Sequence, residues 1–389
     1  MTRIALRADR IFDGERVLDD RVVLVEDGRI TGTDREAPRD WPIRELPGGT
    51  ILPGLLDAHV HLTGDSGPGA LDRLREATED TIFATIEQSL RIHLGAGVTT
   101  VRDLGDSNDA VLDWRNRGVN GLPTVIAAGA PLTSVGGHCW WLGGEVAGPE
   151  QIRAAVRRRA EKGADVIKIM GSGGPVTPGS DALSPQFTPT ELAAAVSEAH
   201  AVGLPITAHA HALAAVRQAA TAGVDGIEHC TCLTAGGVTI DGDLLAGLAA
   251  SGIAVCGTLG SDRSVVVPPE ILAASARAGI TEAALQQVVH RLYDGGVRLV
   301  AGSDGGIGPA KPHGLLPATL AEYVQSGLPA KTALTTATAV AADALGLGAR
   351  KGRIRPGADA DLLLVDGDPT DDITALASPV AVYLGGREA

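Results

Sequence analysis

This chain is short of aromatic side chains, of cysteine and of positive charge, and each shortage narrows what it can be. Phe, Trp and Tyr together make up 3% of its 389 residues, so any core must be packed from Val, Leu, Ile and Ala. There are four cysteines: Cys230 and Cys232 sit one residue apart, while Cys139 and Cys256 are isolated. That spacing gives neither a disulfide framework nor a zinc knuckle. Lys and Arg number 33 against 47 Asp and Glu, and the formal net charge of −14 argues against nucleic acid or an anionic membrane as partner. No apolar run reaches the roughly 18 residues of a membrane-spanning helix. The N-terminal residues also lack the apolar stretch of a signal peptide, so the expected location is the cytoplasm.

What is present is enough apolar material for a large core (44% hydrophobic against 21% charged residues) and 51 glycines to turn the chain. Residues 3–52 alternate short β-type runs with turns at Asp13-Gly14 and Asp27-Gly28. The last forty residues do the same, with Ala360 to Val365 running into Asp366-Gly367 and Val380 to Leu384 into Gly385-Gly386. One small β-sandwich domain built from 1–52 and 350–389 is predicted, with the Gly352 to Gly357 turn marking the return to it.

Between them, strand and helix signals alternate. Strands are predicted at 51–60, 99–102, 124–128, 166–169, 205–208, 226–228, 253–256 and 297–301. Helices are predicted at 74–94, 150–161, 188–201, 212–221, 240–250, 281–294 and 329–345. Eight β/α units over 53–349 fit an α/β fold of the (β/α)8 TIM-barrel type. A doubly wound sheet competes, but no GxGxxG follows the first strand.

The polar residues fall where such a barrel carries its chemistry. Leu52 to His61 is an apolar run ending in His59 and His61, and in a strand residues two apart share a face. Two converging imidazoles begin a metal chelate. Lys168, His209, His229 and Asp304 each end a later strand-like run. Core packing has no reason to place six such residues at successive strand ends.

These residues carry a resemblance. With Pro53 to Leu62, Val98 to Asp103 and Ala301 to Asp304, the chain resembles the metal-dependent amidohydrolase superfamily along nearly its whole length. Gly136-Gly137-His138, Ile167-Lys168, Ala208 to His211, Ile227 to His229 and Ala333 to Ala342 make it most similar to the imidazolonepropionase-related prolidase and carboxypeptidase branch.

The resemblance implies two divalent cations, most readily zinc. His59, His61 and Asp304 would hold one and His209 and His229 the other, with Lys168 between them as a CO2-derived carbamate. It further implies that hydroxide held between the two ions attacks an amide carbonyl of a small substrate such as a dipeptide, Xaa-Pro or an N-acyl amino acid. Asp304 would move the proton, and His138 would contact the carbonyl or a carboxylate at the mouth of the site. His211 shares the strand-five HxH with His209, so either could be the ligand; otherwise it faces substrate, as Trp140 is expected to do.

Arg263 and Lys311 are candidate carboxylate binders, and 171–187, rich in Gly and Pro, is expected to be a lid. His93, His200 and His290 are expected to be structural. The competing readings are a cyclic-amide, imidazolone or lactone hydrolase, a one-metal deaminase, and a non-catalytic scaffold. His209-Ala210-His211-Ala212 lacks the glutamate that deaminases of the superfamily place there. Self-association is left open by the sequence.

Overall fold

The computed structural model describes residues 2–174, 177–266, 273, 276 and 279–389. The chain begins with β1 (Arg3–Ile11), β2 (Val22–Glu26), β3 (Arg29–Asp34) and β4 (Ile43–Pro53). It continues through β5 (Leu55–Val60), helix α1 (Glu79–Gly95), β6 (Val98–Asp103), α2 (Ala110–Arg115) and β7 (Thr124–Ala127). A short strand pair follows, β8 (Thr133–Ser134) and β9 (Glu145–Val146), then α3 (Gly148–Glu161), β10 (Ile167–Met170) and α4 (Pro189–Ala201). Next come β11 (Ile206–Ala212), α5 (Leu213–Ala222), β12 (Gly226–Thr234), β13 (Gly237–Val238), α6 (Gly242–Ser251) and β14 (Ala254–Cys256). The chain ends through α7 (Glu282–Asp294), β15 (Leu299–Val300), α8 (Leu316–Gln325), α9 (Ala330–Thr336), α10 (Ala339–Ala344), β16 (Leu362–Val365), β17 (Pro379–Leu384) and β18 (Arg387–Glu388).

Eight of these strands run parallel in chain order. One ladder joins β5, β6 and β7; a second joins β10, β11, β12, β14 and β15. Isolated contacts cross the two seams. Leu132 bridges Ile169 at one, and at the other Val60 bridges Gly305 while Ala58 donates to the Ala301 carbonyl. The domain is TIM-barrel-like. Every residue of β5 and β10 is buried, as expected of strands covered on both faces.

The two ends of the chain meet in one seven-stranded sheet of order β18-β17-β16-β4-β1-β2-β3. β4 pairs antiparallel with β16 from Thr50 opposite Val365 to Pro53 opposite Leu362. This sheet has its own core, in which Leu6, Ile11, Val23, Ile51, Leu362 and Tyr383 are buried together.

Two predicted helices are broken. The stretch 74–94 contains a 3-10 turn at Asp72–Arg75 and then α1, which Thr78 caps by accepting from Thr81 N–H. The 329–345 stretch divides into α9 and α10 around Ala337 and Thr338. The freed carbonyls of Thr336 and Ala337 accept from Ala301 and Leu56 of the barrel strands, which compensates the break. By contrast, α4 starts at Pro189 as expected, under a reciprocal capping box between Thr188 and Glu191. Among the described residues no helix is long and apolar enough to cross a membrane.

Candidate metal centre

The first group of converging side chains comes from the ends of β5 and β15. His59 is buried, with Nδ1 2.8 Å from Oε2 of Glu228, so its ring proton sits on Nδ1 and the lone pair on Nε2. His61 places Nδ1 2.9 Å from the Gly105 carbonyl, which fixes the same tautomer. The two Nε2 atoms then point at one oxygen, Oδ1 of Asp304, at 3.4 and 3.3 Å. Nε2 of His59 is buried without a hydrogen-bond partner. Two lone pairs aimed at a carboxylate oxygen repel unless a cation lies among them, so this donor set fits a divalent metal.

The second group comes from β11 and β12. His209, His211 and His229 bring one nitrogen each within 4.8 Å of one another. Ring centroids are 4.6 Å apart for His209 and His211 and 4.7 Å for His209 and His229. Hydroxyls support two of the three: Nδ1 of His211 lies 2.8 Å from Thr231 Oγ1, and Nδ1 of His229 lies 2.8 Å from Thr258 Oγ1. His229, Cys230 and Cys232 all have left-handed backbones, with φ of 68°, 49° and 54°. Within β12 the backbone therefore departs from regular strand geometry at His229. His59 and His229 lie 5.1 Å apart, so the two groups adjoin. Lys168, from the middle of β10, lines the same cavity of about 70 Å3 as all five histidines and Asp304.

Burial sets the charge states. It lowers the pKa of Lys168, opposed by Glu228 and Asp304, so the neutral amine is favoured more than for a lysine in water. Burial also takes His59 and His211 down to about 4. It pushes Glu228 upward, but Arg102 and His59 outweigh it and hold that carboxylate well below its ordinary range. Asp304 behaves likewise: burial raises its pKa, and the neighbouring His61, His59 and Lys311 side chains more than reverse that. Cys256 clusters with His59 and Glu228, but burial holds its thiol protonated, which leaves nitrogen and oxygen as the donors.

His138 lies inside the cavity rather than at its mouth; it is buried, with its ring 4.7 Å from that of His209. Its Nδ1 is 2.9 Å from Thr177 Oγ1, which already accepts from Cys139 N–H. In the tautomer whose Nδ1 accepts from the Thr177 hydroxyl, Nε2–H of His138 is left as a donor. Gly174 makes room for the ring, since a Cβ there would come within 2.5 Å of it. Residues 175 and 176 of the predicted lid lie outside the described residues. The rest of 171–187 is fastened rather than open: Gln186 bonds Gly171, Met170 and His138, and Ser172 bridges Pro185.

Trp140 is 39% exposed and packs under the Arg75 guanidinium. It does not line the cavity, although its neighbour Cys139 does. Arg263 is engaged by Glu282 and Glu322. Lys311 faces a larger cavity beside the centre. His93 is buried, 3.1 Å from His313, while His200 and His290 pair at the surface with Asp225 and Asp294.

The sequence reading gave no role to Glu228 or Arg102. Glu228 holds His59 with one oxygen, while its other accepts from Arg102 Nη2 at 2.8 Å and Thr207 Oγ1 at 2.6 Å. The available signal was a charged residue inside an otherwise apolar strand; Asp57, also buried and accepting from Ser303, shows it too.

Residues 50–389 match the model of the amidohydrolase family. Ochratoxinase of Aspergillus niger is 28% identical over 95% of this chain and 82% of its own length. Imidazolonepropionase of Sphingopyxis alaskensis is 26% identical over 91% of this chain and 89% of its own length. The crystal structure of a Xaa-Pro dipeptidase with methionine bound in its active site superposes with a TM-score of 0.86 at 27% identity, covering all of both chains.

Proposed function

This chain belongs to the amidohydrolase family and is a metal-dependent hydrolase of carbon–nitrogen bonds; we propose that it uses two metal ions to cleave the amide bond of a small dipeptide or N-acyl amino acid. Xaa-Pro dipeptides are among the candidate substrates. The observation that carries this reading is the meeting of six imidazoles, Asp304 and Lys168 in one buried cavity, with Nε2 of His59 unpartnered. A closed (β/α)8 barrel over 53–349, and a β-sandwich of 1–52 with 350–389, are the architecture that goes with it.

His59, His61 and Asp304 would hold one ion. His209 and His229 would hold the other, with His211 beside them toward substrate. When bound, zinc would supply a Lewis acid for the scissile carbonyl and bring the pKa of a bound water toward neutrality. Lys168 would enter as a carbamate: its neutral amine adds to CO2 and loses one proton, which replaces a side chain repelled when protonated with one negative charge shared by two oxygens. Glu228 keeps His59 in the tautomer that offers Nε2, and the Arg102 guanidinium keeps Glu228 ionised. Asp304 takes the proton of the attacking water and returns it to the leaving nitrogen, because an amine departs poorly unless protonated. Nε2–H of His138 donates to the carbonyl oxygen as negative charge develops on it.

The test is metal analysis together with a hydrolysis screen over dipeptides, N-acyl amino acids, cyclic amides and lactones. Two ions per chain with turnover of linear amides is expected. One ion per chain with ammonia release would point to a deaminase, and no bound metal would remove the proposal.

A further inference from the structure

Beside the metal centre lies a cavity of about 420 Å3 that shares His211, His229, Asp304 and Ile307 with it. Its described walls are largely apolar, built from Leu259, Ile280, Leu285, Val288 and Val289. The volume is within the range of pockets that take small ligands. One cation faces it without an acidic partner. Nζ of Lys311 donates to the carbonyls of Thr258 at 2.6 Å and Ser303 at 3.3 Å, and among the described residues it makes no ion pair. An ammonium has three donors, and a half-buried one with only neutral partners favours an incoming anion. The acids on the same walls are Glu282 and Glu322, paired with Arg263, and Asp304, which faces His59 and His61. Thr258 ties the cation to the chemistry, since its hydroxyl holds His229 while its carbonyl holds Lys311.

We propose that this cavity receives the amino-acid half of the substrate, with the α-carboxylate on Lys311 and a bulky apolar side chain against Leu259, Leu285 and Val289. The inference rests on the amide-hydrolase reading and sharpens it: free-acid substrates ending in a large apolar residue are preferred to their blocked or decarboxylated forms. Lys311 is then a specificity-determining residue.

The test is calorimetric binding to the metal-loaded protein, using L-leucine and isoamylamine, which differ only by the carboxylate. Because neither is turned over, the result is independent of whether the enzyme is an amidase. L-leucine should bind at least about tenfold tighter, the scale of one charge-assisted hydrogen bond. Lys311→Met should bind the two alike, and Lys311→Arg should keep the preference. Leu285→Trp should weaken L-leucine while sparing glycine. Equal binding of the pair to the unmodified protein would overturn the proposal, as would a preference that survives in Lys311→Met. If the hydrolysis screen fails but Lys311-dependent binding persists, the reaction assignment falls and the anion site stands.

Discussion

The two groups of histidines are built on different principles. Charge backs the group at β5 and β15: Glu228 grips His59 and is itself gripped by Arg102, all inside the barrel. Neutral hydroxyls back the group at β11 and β12, through Thr231 and Thr258, and its open side faces the larger cavity. An ionised carboxylate makes its imidazole a stronger donor than a hydroxyl does. With two ions bound as proposed, the difference teaches which the fold would retain and which it would exchange: the first group would be the anchor, the second the face that meets substrate.

Lys168→Ala should break the comparison outright, because the proposed carbamate would serve both groups. Both ions and all turnover should be lost, with partial rescue by bicarbonate plus a short carboxylic acid. Unmodified lysine in a fully metallated crystal would refute the carbamate. His138→Ala acts on the second group alone, and kcat/KM should fall roughly 10²–10³-fold with both metals kept, the scale of one lost oxyanion donor. Lower stability at unchanged turnover would make His138 structural instead.

Asp304→Asn tests the first group. Amide hydrolysis should fall at least about 10²-fold and p-nitrophenyl ester hydrolysis less, because that leaving group departs unprotonated. Equal losses on both substrates would take the leaving-group proton away from Asp304. A finer contrast sets Glu228→Gln against Thr258→Val. The glutamine variant should bind its first metal about 10–100-fold more weakly and lose about 3–5 kcal/mol of stability, because Arg102 stays buried without its counter-charge. The valine variant should lose less on both counts. Metal titration with urea unfolding reads both, and equal effects would erase the distinction between the two groups.

The smallest effect concerns pH in the metal-free protein. His59, His211 and His313 have folded pKa values of about 4, lowered by burial, against an ordinary 6.5. Between those values the unfolded chain binds protons that the folded chain does not. Their contribution to stability should therefore be flat above pH 6.5 and fall from there toward pH 4, by up to roughly 3 kcal/mol for His313 alone, while the buried Asp57 carboxyl, raised to about 6, works in the opposite direction. Bound metal should blunt the part due to His59 and His211 and leave that of His313. An NMR titration in which the His313 ring of the folded protein protonates near pH 6.5 would remove this contribution.

What the sequence made legible follows from periodicity. His59, His61, Lys168, His209, His229 and Asp304 each stand at or near the end of an apolar run, and strands of a parallel barrel deliver such residues to one rim. Glu228 escapes the same rule, since neighbours in a regular strand point to opposite faces and His229 takes the inward one. The left-handed backbone at His229 re-aims that side chain, so both residues serve the centre. The helix breaks at Thr78 and Ala337 escaped because apolar spacing continues across them; only the caps and the carbonyls taken by barrel strands reveal them. The burial of His138 depends on Thr177, Gln186 and Gly174, loop residues whose meeting no local pattern encodes.

The pairing of β4 with β16 sets a clock on synthesis. Leu362 meets Pro53, a strand that emerges from the ribosome roughly 300 residues earlier, which at about 5–20 residues per second is a wait of some 15–60 s. Throughout that interval β4 offers one unpaired edge and the apolar face of Ile51, immediately upstream of the strand that carries His59 and His61. An open edge of this kind is a template for the wrong neighbour. The nascent chain is therefore most exposed to misassembly before its last thirty residues appear, and deleting them should cost soluble yield in the cell before it costs any ligand of the centre.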